Sequence, residues 1–301
     1  MTAPAAGAGG SGSGDSSARS AHSPAGGGSA SPVLQVRGAA LTRPDGGGRE
    51  LWSGLDLDVH AGEFIAVLGP SGSGKTTLLR SILGLQELSA GEIRIEGAVA
   101  TRGNPRIGYI PQQRPYPADT AMRARDVVAL GLQGRRFGLP LPQRGQHERV
   151  DAMLAEVGAA HYGDRRVGTL SGGEQQRLRV GQALMDRPAL LLCDEPLSNL
   201  DLANQQGVTE IIDRQRRDHG AAVLFVTHDI NPILGRVDRI LYIAGGRFML
   251  GTPDEVLQTR VLTDLYGAPV FVLRAGDRLI VVGVPDVEPH HDHGPEHGSV
   301  A

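Results

Sequence analysis

The segment Gly69-Pro-Ser-Gly-Ser-Gly-Lys75-Thr76 constrains the fold more than any other stretch of this chain. It matches the phosphate-loop pattern G-x-x-x-x-G-K-[ST], which works only between a buried strand and the start of a helix. Both neighbours have the required texture. Phe64-Ile-Ala-Val-Leu68 is a continuous apolar run, as in a strand covered on both faces, and Thr76 to Leu83 reads as a helix. The loop Gly69, Pro70, Ser71, Gly72, Ser73, Gly74 can therefore turn successive backbone N–H groups inward as an anion nest. Lys75 reaches the β- and γ-phosphates of a nucleotide, Thr76 offers a hydroxyl to Mg²⁺, and Thr77 lies in the first helical turn, where the dipole favours negative charge. Lys75 is also the only lysine in the chain, so a compact ammonium is kept where a guanidinium fork would fit poorly among phosphates.

Further apolar runs extend this unit into an α/β domain. Ala189-Leu-Leu-Leu-Cys193 and Ala222-Val-Leu-Phe-Val226 repeat the buried-strand texture, and the polar stretch Gln205 to Asp218 between them reads as a surface helix, which gives a mostly parallel sheet. Val33 to Val36 and Leu55 to Val59 read as earlier strands. Between Asp126 and about Arg187 the spacing turns helical, with Val150, Met153, Leu154 and Val157 on one face, so an inserted helical subdomain is expected over about 113–187. Residues 1–32 are almost all Gly, Ala, Ser, Pro and Thr, a composition that cannot offset the entropy of ordering, and are expected to be a disordered tail. A small extension is expected over 255–285, with a short helix and strands at Val270 to Leu273 and Leu279 to Val282. A His- and acid-rich tail follows over 286–301.

Charge and composition exclude several classes. A net charge of -3, from 30 Lys+Arg against 33 Asp+Glu, provides no field for nucleic acid. A single cysteine, Cys193, excludes an intrachain disulfide and fits a reducing compartment. No apolar stretch approaches the roughly 20 residues of a membrane helix, and the Gly/Ser/Ala-rich start lacks the apolar core of a signal peptide.

The strand Leu190-Leu-Leu-Cys-Asp194-Glu195 ends in two carboxylates, as a strand beside a phosphate loop must if it is to serve hydrolysis. Asp194 would hold the Mg²⁺ shell and Glu195 would polarise the attacking water as general base.

Leu170-Ser-Gly-Gly-Glu-Gln-Gln-Arg177 closely resembles the signature of the ABC ATPases. Ser171, Gly172 and Gly173 would stand at a helix start with a hydroxyl and N–H groups facing an anion. The resemblance covers about residues 33–254 and implies a P-loop NTPase (RecA-like) core with a mostly parallel sheet, an antiparallel β subdomain and the inserted helical subdomain. It further implies a homodimer in which Ser171–Gly173 of one cassette clamp the γ-phosphate of ATP bound to the other. Gln112 matches the Q-loop glutamine that joins Thr76 and Asp194 around Mg²⁺. Ser198-Asn-Leu-Asp201 matches the D-loop, and His228 matches the switch histidine that contacts the γ-phosphate. Two positions depart from the family. Arg43 stands where an aromatic residue usually stacks on adenine, leaving stacking to Arg43, to Trp52 or to neither. Glu174 replaces the commoner Gln in the signature.

A single cassette without a fused membrane span resembles importer ATPase subunits rather than the coiled-coil repair proteins or the two-cassette translation factors. The expectation is therefore an ATP-hydrolysing subunit at the cytoplasmic face of the membrane, bound to an integral-membrane permease and serving indirectly a metal-binding protein. Ile107-Gly-Tyr-Ile-Pro-Gln-Gln-Arg, Val226-Thr-His-Asp-Ile-Asn-Pro232 and Gly267-Ala-Pro-Val270 resemble the zinc/manganese importer ATPases. His290, His291, His293 and His297, interleaved with Glu288, Asp292 and Glu296, form a ligand set suited to such borderline metals. The alternatives are an importer of iron chelates or another small solute, and a soluble non-transport ABC ATPase.

Overall fold

Every residue of Phe64–Leu68 is buried, and this run forms β3, an interior strand of a six-stranded sheet. The computed structural model describes residues 31–42, 50–112, 115–133, 145–276 and 278–283. In chain order the elements are β1 (Leu34–Thr42), β2 (Glu50–Val59), β3, α1 (Lys75–Ile82), β4 (Ala90–Ile95), β5 (Ala98–Val99), β6 (Ile107–Ile110), α2 (Ala124–Gln133), α3 (Gln146–Glu156) and α4 (Gly172–Leu184). There follow β7 (Leu190–Asp194), α5 (Leu202–His219), β8 (Ala222–Val226), β9 (Arg239–Ala244), β10 (Arg247–Gly251), α6 (Pro253–Val256), α7 (Thr259–Tyr266), β11 (Val270–Ala275) and β12 (Arg278–Gly283).

The large sheet has the order β10-β9-β3-β8-β7-β6, parallel throughout except for the antiparallel β10 at one edge. The interior strands β3, β7 and β8 are buried throughout because each face of the sheet has its own cover. Phe64, Ala66 and Leu68 pack with Leu191, Cys193 and Phe225 on the side of the helical subdomain. Ile65 and Val67 pack with Leu192, Leu224 and Val226 on the other side, against α1 and a four-stranded antiparallel sheet of order β2-β1-β4-β5. Cys193 is fully buried, and burial pushes its thiol well above the usual range, which fits a packing role.

β1 and β2 run well beyond the short strands expected at Val33 to Val36 and Leu55 to Val59. Their pairing register shifts between Val36 and Ala39, again between Ala39 and Leu41, and once more before Thr42, so the period-2 alternation that marks a strand in sequence is broken where the strand continues.

The helical subdomain is held by α2, α3 and α4. Gly131 lets α2 approach α4 closely: a Cβ there would fall 2.2 Å from the carbonyl oxygen of Gln182. At the C-terminal end, β11 and β12 form a hairpin that buries Val270 and Leu279 against the body and exposes Phe271, Leu273, Ile280 and Val282. No described helix is long and apolar enough to cross a membrane.

Candidate active site

The phosphate loop connects β3 to α1, and its glycines are required by position. Gly69 has φ +141°, and a Cβ on it would fall 2.0 Å from the carbonyl oxygen of Ile243 on β9. Gly74, with φ +96°, lies against the Trp52 ring, whose Nε1 would be 2.8 Å from an added Cβ. Gly69→Ala is therefore expected to destabilise the protein by about 2 kcal/mol or more, through both a disallowed φ and a backbone clash, which a shifted denaturant midpoint would record.

Lys75 opens α1 and is 8% exposed. Its Nζ donates to the carbonyls of Gly69 (2.7 Å) and Pro70 (2.9 Å), so the ammonium is held over the loop. Burial lowers its pKa from the ordinary value, while the charges of Glu195 and Asp194 oppose that shift. The Ser73 hydroxyl oxygen is buried in the same loop without a hydrogen-bond partner, an orphan donor among backbone N–H groups that suit an anion.

β7 brings the carboxylates alongside. Asp194 Oδ1 accepts from the Thr76 hydroxyl at 3.0 Å, and Oδ2 accepts from the Tyr109 hydroxyl at 3.3 Å. Burial raises the Asp194 pKa above the usual carboxylate range, against the pull of those two hydrogen bonds. Tyr109 is pushed up to about 12, chiefly by burial, so its hydroxyl stays protonated as a donor. Glu195 follows at φ +47°, its amide bonded to the Val226 carbonyl (3.0 Å) and its carbonyl accepting from Ser198 Oγ (2.8 Å). Its carboxylate Oε2 accepts from Gln112 Nε2 at 3.2 Å and lies 3.6 Å from His228 Nδ1. Residues expected from separate motifs thus converge at the ends of β3, β6, β7 and β8.

A family model described as ABC transporter matches residues 52–198. The aliphatic sulfonates import ATP-binding protein SsuB 1 of Pseudomonas fluorescens is 41% identical over 213 residues, covering 71% of this chain and 75% of that protein. The chain belongs to the ABC transporter ATP-binding family. The zinc import ATP-binding protein ZnuC of Ruegeria pomeroyi is 33% identical over 267 residues, covering 88% of this chain and 96% of that protein. Among solved structures, a chain from an ABC transporter assigned to the metal-chelate type, in an inward-facing conformation, aligns with a TM-score of 0.70 and 25% identity. That alignment covers 85% of this chain and 98% of the solved one. This ABC protein is an ATP-binding ATPase whose hydrolysis is coupled to transport.

The ABC signature lies apart from the carboxylate cluster, at the start of α4. Ser171 caps that helix in a capping box: its hydroxyl accepts from the Glu174 amide (3.3 Å) and its own amide donates to Glu174 Oε2 (2.7 Å). Glu174 at the family's usual Gln position thus has a local task. Gly173 also has a packing reason of its own. It is buried, and a Cβ there would fall 2.3 Å from the Asn204 side chain, so this glycine is demanded by packing of α4 against α5. The D-loop Asp201 caps α5, accepting from Asn204 N (2.8 Å) and Asn204 Nδ2 (2.9 Å), and the amide bond holds its carboxyl below the usual range.

Trp52 does not replace the adenine-stacking aromatic. It is 1% exposed, packed beneath Gly74. Arg43 and His290, His291, His293 and His297 lie outside the described residues. Among the described residues, no three His, Cys, Asp or Glu side chains gather as a metal site. Sequence reasoning passed over Tyr109 as a functional residue; its place on the strand leading to Gln112 is the signal that could have marked it.

Proposed function

We propose that this chain is the ATPase subunit of an importer for zinc or manganese, working as a homodimer on the cytoplasmic face of an integral-membrane permease. The observation that carries the hydrolytic part is the convergence of Lys75, Thr76, Gln112, Asp194, Glu195 and His228 on one patch, with Thr76 hydrogen-bonded to Asp194, Gln112 to Glu195, and His228 Nδ1 3.6 Å from Glu195. The donor set fits Mg²⁺: Thr76 Oγ1, Asp194 and the Gln112 side chain present hard oxygens, and the buried Asp194 carboxyl, raised by desolvation, gains from a cation beside it. Mg²⁺, when bound, supplies charge neutralisation for the β- and γ-phosphates.

The chain's own residues do the rest. Gly69 to Thr77 bind the phosphates, and Lys75 places its positive charge among them. Glu195 orients and deprotonates the attacking water, with Gln112 donating to its Oε2 and His228 beside the same oxygen. The Ser171 hydroxyl keeps its own proton to donate, because the hydrogen bond from Glu174 uses only a lone pair. That exposed hydroxyl, at the start of α4, would meet the γ-phosphate held by a second copy. A cavity of about 340 Å³ beside the Q-loop, lined by Tyr109, Pro111, Tyr116 and Gln182, lies between the β-core and α2 and α4. Such a groove offers a permease a grip on both subdomains.

The solute reading is supported by where the likeness extends. The match to the zinc-import relative is longer than residues 33–254 can hold, so it runs into the segments flanking the cassette. At 213 residues the sulfonate match is short enough to fit within that span. The sulfonate importer is the second reading because of that relative's higher identity. The deciding measurement is elemental analysis of metal-limited cells lacking the chain, complemented with wild type or Glu195→Gln. Zinc or manganese that falls and is restored only by wild type supports the metal reading. Unchanged metals together with lost growth on an alkanesulfonate as sulfur source would transfer the chain to the second.

A further inference from the structure

The segment that carries His228 is fastened from the C-terminal hairpin. Three residues beyond the histidine, Asn231 lays its side-chain amide along β12: Nδ2 donates to the Leu279 carbonyl at 2.9 Å and Oδ1 accepts from the Leu279 amide at 2.8 Å. A side chain here makes the two-bond exchange that a neighbouring strand would otherwise make. The same segment is tied to itself on both sides of His228. Thr227 Oγ1 donates to the Asp229 carbonyl (2.9 Å), and Asp229 Oδ1 accepts from the Asn231 amide (2.9 Å) and from Asn231 Nδ2 (2.7 Å). His228 stands at the centre of this turn, well exposed, so its place near Glu195 depends on how the turn is held. The hairpin and the phosphate loop are also close: Val270 and Val281 line a cavity of about 220 Å³ together with Gly69, Pro70 and His228.

We propose that Asn231 is a positioning residue through which the C-terminal hairpin holds His228 against Glu195, so that the extension sets the rate of hydrolysis without touching the nucleotide. The proposal rests on the role given to His228 above. A turn anchored at Asn231 cannot swing away from the carboxylate unless the two bonds to Leu279 break, and a displacement of about 1 Å at a reacting group costs up to about 100-fold in rate.

The test is steady-state ATP hydrolysis by the full chain, with Asn231→Ala, His228→Ala and the double variant, alongside equilibrium binding of ATP. Asn231→Ala is expected to lower kcat by about tenfold or more while leaving KM and ATP binding within about twofold, and to add nothing in the His228→Ala background. Asn231→Asp keeps the acceptor for the Leu279 amide but sets an oxygen against the Leu279 carbonyl and Asp229 Oδ1, so it is expected to lose at least as much as alanine. Asn231→Ser, too short to span to both Leu279 groups, serves if the alanine variant does not fold. An equal loss from Asn231→Ala in both backgrounds, or a rise in KM at unchanged kcat, would overturn the positioning role. Loss in His228→Ala with full activity in Asn231→Ala would overturn the clamp alone. Full activity in His228→Ala would remove the histidine's role and the clamp together.

Discussion

Glu195→Gln is expected to bind ATP with wild-type affinity, to lower hydrolysis by about 100- to 10,000-fold, and to accumulate as a nucleotide-bound dimer. The site geometry separates these effects. Glu195 takes no part in the phosphate loop, so the bonds that fix the Lys75 and Thr76 side chains survive the change. Glutamine keeps the side chain's length and an oxygen acceptor for Gln112 Nε2, but it has no basicity to take a proton from water. The backbone is set independently of the side chain, by the bond to Val226 and the one from Ser198 at φ +47°, so the substitution leaves the turn in place. Single-turnover hydrolysis and light scattering in ATP read the two outcomes. A wild-type rate would assign the base elsewhere, and a slow rate without a dimer would keep the base and remove the paired-cassette arrangement.

The phosphate loop and its flanking elements were legible because their causes are local. A strand buried on both faces has to be apolar throughout, and a loop that reaches φ +141° beside a neighbouring carbonyl admits only glycine. The end-of-strand carboxylates were legible because the apolar run stops at them. What the sequence hid are contacts between distant segments. Tyr109 meets Asp194 across 85 residues and Asn231 meets Leu279 across 48, and nothing in either member of a pair announces the other. Gly173 was visible as a signature residue, yet its steric cause, the Asn204 side chain, lies on α5. Trp52 failed as a substitute for the stacking aromatic because an indole on a strand says nothing about which face the strand buries once bulges have broken its alternation.

Lys75→Ala is expected to weaken ATP binding by about 30- to 5,000-fold, the equivalent of losing about 2–5 kcal/mol when one partner of a desolvated charge pair is truncated. Lys75 is buried with its ammonium donating to two loop carbonyls, and it faces the charges of Glu195 and Asp194. Without it, a nucleotide's phosphates would approach two carboxylates with no counter-charge from the loop, and the Gly69 and Pro70 carbonyls would lose their donor. Lys75→Arg discriminates charge from shape. Arginine restores the charge, but its planar fork needs more room than a loop whose Gly69 and Gly74 already lack space for a Cβ. It should therefore recover only part of the affinity. Titration with a fluorescent ATP analogue measures both variants. Full recovery in Lys75→Arg would mean that charge alone matters at this position, and unaltered binding in Lys75→Ala would mean that the nucleotide's phosphates are held somewhere else.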